Sequence, residues 1–128
     1  VAGDINELPA GFYQYVPVEH ALMRIHDRDL REDIYNLSYP REMILTAPAS
    51  LVYTAIEDKV RDRYGERGTE RYIPMDIGHS AQNVYLQAEA LGLGTCAVGA
   101  FDDDGLIRVL GRPAVEVPLY VMPIGYPA

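Results

Sequence analysis

Lysine is nearly missing from this chain. Lys59 stands against ten arginines, and the eleven basic residues face nineteen acids for a net charge of -8. A surface that acidic repels nucleic acid over most of its area, which argues against that class of partner. The arginine bias fits a GC-rich genome or a low-lysine proteome and says nothing of function. Tryptophan is absent, and phenylalanine occurs twice against ten tyrosines. The aromatic content is therefore polar-tipped, a weak match to interfaces and flat ligands. One cysteine, Cys96, cannot form an internal disulfide, and a lone cysteine among apolar neighbours reads as a small hydrophobe. The cytoplasm is the compartment expected from that usage. No run approaches the roughly 18 apolar residues of a membrane span, and no basic-then-apolar signal segment opens the chain.

What is there suffices for one domain. The 128 residues are 48% apolar and 23% charged, a soluble globular balance. Residues 12–16 alternate, 17–20 turn and 21–26 return, the pattern of a hairpin. Leu30, Ile34 and Leu37 recur at helical spacing, with Asp27 or Asp29 as a possible cap. A short helix is expected over 41–47, stopped by Pro48, and a β-rich strand over 50–57. The charged, glycine-broken stretch 58–72 reads as a loop or a frayed helical turn. Residues 75–94 carry the clearest helix, with a stripe of Ile77, Ala81, Val84, Ala88 and Leu91 and a left-handed cap at Gly92 or Gly94. A strand over 95–101, a short acid-led helix from Asp102 and a last strand over 118–126 complete the chain. Strands and helices mix without a strict βαβ repeat, which predicts an α+β fold.

Most candidate chemistry has a plain structural reading. Gly92, Gly94 and Gly99 miss the spacing of a dinucleotide fingerprint, and they follow a helix rather than open one. The negative end of that helix would point at them, which disfavours phosphate. Gly92 and Gly94 read as helix-ending residues, whereas Gly99 ends a strand, where a flat ligand can approach the backbone. Asp102 to Asp104 lack the alternation of a calcium loop and read as a helix cap. His20, His26 and His79 show no paired-ligand spacing, so no metal is expected. Ser80 lies in no nucleophile elbow. The Arg/Glu-rich stretch 57–71 is by default a solvated face, relieved by Tyr64 and Gly65.

Several strings carry a resemblance. "GHSAQNVYLQAEALGLGTCAVGAFDDDGLIRVLG" followed by "VPLYVMPIGYP" resembles the second half of the nitroreductase-like flavoproteins. Within them it is most similar to the SagB-type dehydrogenases, the group of the thiazole/oxazole-forming oxidases. "RYGERGTERYIPMDIGHSAQN" resembles their lead into the central helix, and "LPAGFYQYVPVEHALMRI" their glycine–aromatic hairpin. The resemblance implies an α+β nitroreductase-like sandwich, an antiparallel or mixed sheet with flanking helices, that dimerises with FMN at the subunit interface. It implies hydride transfer between NAD(P)H or a small-molecule substrate and flavin N5. On the family's pattern Gly99 and Ala100 lie where backbone N–H groups approach flavin N5 and O4, and Phe101 packs beneath. Backbone donors suit a ring that gains negative charge and leave no side chain in its way.

Two departures qualify that expectation. Azoline-oxidising members carry a Lys-Tyr pair before "G-x-R-G"; the corresponding catalytic pair here is Arg63 and Tyr64. Tyr64 can donate or accept a proton, whereas a guanidinium stays charged and cannot act as a base. The family's opening Arg-Arg-Ser segment, which holds the FMN phosphate, and its Ser-Ala-Gly segment are not among these residues. The first residue is Val. Residues 1–128 are therefore expected to be a single nitroreductase-like domain, the C-terminal two-thirds of the fold and N-terminally incomplete. The alternative is a flavin-less dimeric module that binds a small molecule or a protein without catalysis.

Overall fold

The computed structural model describes residues 1–39 and 42–127. A hairpin of β1 (Phe12–Val16) and β2 (Ala21–His26) opens the chain. Helices α1 (Arg31–Leu37) and α2 (Met43–Thr46) lead into β3 (Ala49–Ile56). Then come α3 (Glu57–Tyr64), a π-helical turn (Gly68–Tyr72) and the long α4 (Ile73–Ala90). Strand β4 (Gly94–Thr95), α5 (Asp103–Val109) and β5 (Glu116–Gly125) finish the order. This is the α+β mixture that the irregular alternation of elements predicts. β5 lies between β3 and β4, antiparallel to both, and β1–β2 form a separate antiparallel pair.

Val52 and Val121 are cross-strand partners, and both belong to the core with Leu30, Ile34, Ile44, Leu106 and Leu110. That face of the sheet is covered by α1, α2 and α5. Successive strand residues point to opposite faces, so the neighbouring pair Tyr53 and Tyr120 points to the other side. There the Tyr53 hydroxyl meets Ser80 Oγ of α4 at 2.9 Å. The molecule thus has three layers, with α4 on the second face.

Several elements differ from the sequence expectation. Residues 57–64 form a regular helix rather than a loop or a frayed turn. Arg61 explains it: its guanidinium reaches Glu57, Asp58 and Glu66 at 3.1, 2.7 and 3.0 Å. The charges that look like a solvated face stabilise successive turns. Gly65, at φ +64°, then ends the helix. Asp29 is not the cap of α1, which starts after Leu30 without a side-chain cap. Its carboxylate instead accepts from the Arg31 backbone N–H and guanidinium, and these hold it below the ordinary carboxylate range. Gly92 has the left-handed conformation (φ +70°) that closes α4, while Gly94 belongs to β4. Leu91 leaves the buried stripe and is exposed. The expected start of α2 at residue 41 lies outside the described residues. Asp102 caps α5 as expected, accepting from the Gly105 N–H at 3.0 Å.

Candidate functional site

The strand expected over 95–101 is regular only at its start. Gly94 and Thr95 pair with β5 as β4, and the chain then runs on beside β5 with broken pairing. The break has a side-chain cause: the Ala97 N–H donates to the Tyr85 hydroxyl of α4 at 2.7 Å instead of to the sheet. Val98 returns to β5 and exchanges two hydrogen bonds of 2.9 Å with Val121. Past Gly99 and Ala100, the C-terminal end of α1 takes the chain up again. The Tyr39 N–H donates to the Ala100 carbonyl and the Asp102 N–H to the Leu37 carbonyl, both at 2.8 Å.

Gly99 and Ala100 are exposed, and their N–H groups meet no acceptor among the described residues. Phe101 is half-buried and packs on the core. A methyl group added at Gly99 would sit 3.5 Å from the Tyr120 ring, an ordinary contact, and Gly99 has no positive φ. Nothing within the chain demands a glycine at that position. The result is a bare shelf of two adjacent donors, backed by Phe101 on one side and Tyr120 on the other.

Arg63 and Tyr64 form a different place. Tyr64 ends α3, half exposed, and its ring meets Tyr72 edge-on with centroids 5.4 Å apart. The Arg63 guanidinium lies 5.2 Å from the Tyr64 ring, and Arg67 lies 5.9 Å from the Tyr72 ring while donating to its hydroxyl at 3.0 Å. Two arginines thus flank two tyrosines packed edge to face, with the distances of cation–π contacts. No hydrogen bond, ion pair or ring contact joins this cluster to Gly99 and Ala100 among the described residues. The path between them runs from Gly99 to Tyr120, across the sheet to Tyr53, and through Ser80 into α4. The sequence expectation does not include Tyr72. Its signal is the repeated Arg-Tyr pair, at 63–64 and again at 71–72.

Electrostatics elsewhere is structural. The Glu116 carboxylate, nearly buried, accepts from Arg112 and from the Thr54 hydroxyl, and the Arg112 hydrogen bond holds it below the ordinary carboxylate range. No three His, Cys, Asp or Glu side chains gather to hold a metal among the described residues. No described helix is long and apolar enough to cross a membrane.

Comparison with known proteins places these features. The sequence profile of the nitroreductase family matches residues 3–126. The chain belongs to the nitroreductase family. A protein of Methanocaldococcus jannaschii that carries a provisional nitroreductase name is 38% identical over 122 residues, which cover 95% of this chain and 60% of that protein. The chain thus spans about 60% of the length of that curated relative. A provisionally named nitroreductase structure from Anabaena variabilis superimposes with a TM-score of 0.93 at 32% identity, covering 99% of this chain and 26% of that one. Another from Ralstonia eutropha gives 0.80 at 28% identity, covering 94% of this chain and 55% of that one. The nitroreductase-like α+β fold is therefore shared with solved structures.

The shelf can be tested against FMN, the cofactor the family suggests. Two free adjacent N–H groups and a glycine that the chain itself does not need fit a flat ring bearing acceptor atoms. The phosphate is another matter. No arginine or lysine occurs between residues 94 and 107, and Asp102, Asp103 and Asp104 follow the shelf directly. The residues present fit the ring of FMN and leave its phosphate, with close to two negative charges, for cations elsewhere.

Proposed function

We propose that this nitroreductase-family chain is the ring-binding portion of an FMN-dependent oxidoreductase of the SagB-type group, working as a cytoplasmic homodimer. The observation that carries the reading is the free, exposed N–H pair of Gly99 and Ala100. FMN, when bound, supplies the capacity to accept a hydride from NAD(P)H or a small-molecule substrate and to pass it on. This chain's residues do the rest. The Gly99 and Ala100 N–H groups donate to the acceptor edge of the ring, where negative charge develops, and such preorganised donors need no reorganisation as it does. The missing side chain at Gly99 lets the ring reach the backbone, and Phe101 fixes the shelf from beneath. Tyr64 lies apart from the shelf within the chain, so it would donate or accept the proton that accompanies the hydride only where the proposed dimer brings it to the ring. Arg63 stays charged and orients Tyr64 through its ring.

The homodimer reading rests on α4. Met75, Leu86 and Leu91 are 52%, 61% and 63% exposed, on or just beyond a helix whose other side already packs on the sheet. Large apolar side chains outside the packed stripe suit a second surface.

The acidic run after the shelf favours the second reading, a flavin-less module. FMN titration separates the two. Wild-type chain is expected to retain FMN through gel filtration and to show a flavin absorption band. Gly99→Ala should weaken binding about tenfold or more while leaving the urea midpoint unmoved, since the added methyl meets only ordinary contacts inside the chain. A colourless wild-type chain that stays colourless after added FMN would sink the flavin reading for these residues. Unchanged turnover in Tyr64→Phe would remove the proton-transfer role.

A further inference from the structure

Tyr53, Tyr85 and Tyr120 lie between the sheet and α4, and the first two tie those layers together. The Tyr53 hydroxyl of β3 meets Ser80 Oγ of α4 at 2.9 Å, and the Tyr85 hydroxyl of α4 accepts from the Ala97 N–H at 2.7 Å. Tyr120 of β5 is the cross-strand partner of Tyr53, so its side chain points to the same face. Its hydroxyl meets no hydrogen-bond partner among the described residues, and the half-buried side chain leaves that hydroxyl open to solvent. The hydroxyl therefore adds nothing to the contact between sheet and helix, where a phenylalanine would pack as well.

Gly99 stands beside that ring. Val98 and Val121 exchange two hydrogen bonds, so in the antiparallel register the next residue, Gly99, comes opposite Tyr120. A methyl group at Gly99 would sit 3.5 Å from Tyr120 Cε1 and 3.7 Å from Cδ1, against one side of the ring. These are ordinary contacts, and Gly99 has no positive φ, so the fold itself accepts alanine there. What alanine would do is cover the Cδ1–Cε1 side of Tyr120. Gly99 is thus a gap through which the Tyr120 ring can be reached from the shelf.

We propose that Tyr120 is a ligand-contacting residue of the shelf: the flat ring that takes the Gly99 and Ala100 N–H groups rests against the Tyr120 phenol through the gap left at Gly99. The proposal rests on the flavin reading of the shelf and adds to it the residue that selects for an aromatic occupant. The two backbone donors read the acceptor atoms on the edge of the bound ring, and they would serve an aliphatic amide equally well. An aromatic wall separates the two, because offset and edge contacts between rings add to what burial alone supplies. The wall is held in place from behind. Tyr120 lies in β5, the central strand, and Val98 and Val121 fix the register that brings it opposite Gly99. Gly99 accordingly has two tasks, to let the ring reach the backbone and to leave Tyr120 uncovered, and the second can be separated from the first by experiment.

The test titrates the whole chain with riboflavin, the flavin that lacks a phosphate, because the residues present fit the ring alone. Flavin emission reports the contact, since a phenol in van der Waals contact quenches it by electron transfer and a phenyl ring does not. Tyr120→Phe keeps the ring and its packing. It is expected to bind riboflavin nearly as well as wild type while the emission of the bound flavin rises severalfold. Tyr120→Leu removes the aromatic wall and should weaken binding about tenfold. The two positions should also be coupled. Gly99→Ala is expected to weaken binding about tenfold in the wild-type background and no more than about twofold in the Tyr120→Leu background, where there is no ring left to cover. Additive losses, or equal emission of the bound flavin in wild type and Tyr120→Phe, overturn the proposal and leave the flavin reading standing. A wild-type chain that binds neither riboflavin nor FMN overturns both. Should Tyr120→Leu lose its cooperative urea transition, the emission of Tyr120→Phe decides alone.

Discussion

The two faces of the sheet β3–β5–β4 are finished to different degrees. On one, Leu30, Ile44, Leu106, Leu110 and Val121 are fully buried among α1, α2 and α5. On the other, the buried positions of α4 are Ile73, Ala81 and Ala88, small apart from the first, and its large apolar side chains Met75 and Leu86 point elsewhere. The first face is a core that the chain completes by itself. The second is a spacer: alanines bring α4 close to the sheet, and the helix presents its bulk outward. The difference teaches that the two faces of one sheet can be finished by different means, by large buried side chains on one and by a helix with a small-residue stripe and outward Met75 and Leu86 on the other.

The sharpest way to break that comparison is to cut into each face. Leu106→Ala should cost up to about 5 kcal/mol in urea denaturation, since its cavity opens in a packed core. The next effect concerns the ion pair at the end of β5. Arg112→Ala should cost about 3 kcal/mol, because it leaves Glu116, nearly buried, without its cation. The pH dependence has a definite sign. Glu116 is held below its ordinary value by Arg112 first and Thr54 second, so the folded state binds fewer protons than the unfolded state. Its stabilisation is complete above the ordinary carboxylate value and is lost as pH falls through the lowered one. Stability followed from pH 7 downward should fall less steeply in Glu116→Gln. The smallest stability effect belongs to the outer face. Leu86→Glu should change stability in urea by no more than ~0.5 kcal/mol yet convert the proposed dimer to monomer in sedimentation. A core-like loss of stability from Leu86→Glu in a chain that is monomeric throughout would erase the distinction between the faces.

Much of this fold can be read from residue patterns, and the failures share a cause. The β1–β2 hairpin follows from strict alternation, and α4 from its apolar spacing, with Leu91 the one member of that stripe that lies outside it. Both are signals carried by the element itself. Helix α3 carries no such signal, because no residue of it is buried. Arg61 organises it through three carboxylates whose spacing, read along the chain, looks like indiscriminate charge. The segment 95–101 failed for a related reason: a tyrosine twelve residues earlier takes the Ala97 N–H out of the sheet, and no local pattern announces it. For the candidate site, the resemblance pointed to Gly99 and Ala100, and only the structure displays their unpaired donors. Tyr72 escaped because its partner Tyr64 is eight positions away across a π-helical turn, a spacing that no regular period singles out.

The shelf at Gly99 and Ala100 has one more consequence. It is pinned at Val98 by two sheet bonds and at Ala100 and Asp102 by the end of α1, so only a very short span of backbone lies between its anchors. Such a span has few conformations to lose. Ordering a free loop costs roughly 1–2 kcal/mol per residue in backbone entropy, and here folding has already met most of that cost. Whatever molecule comes to these two donors meets them already aimed. Its affinity then reflects the quality of its own acceptors, with little subtracted for the motion of the host.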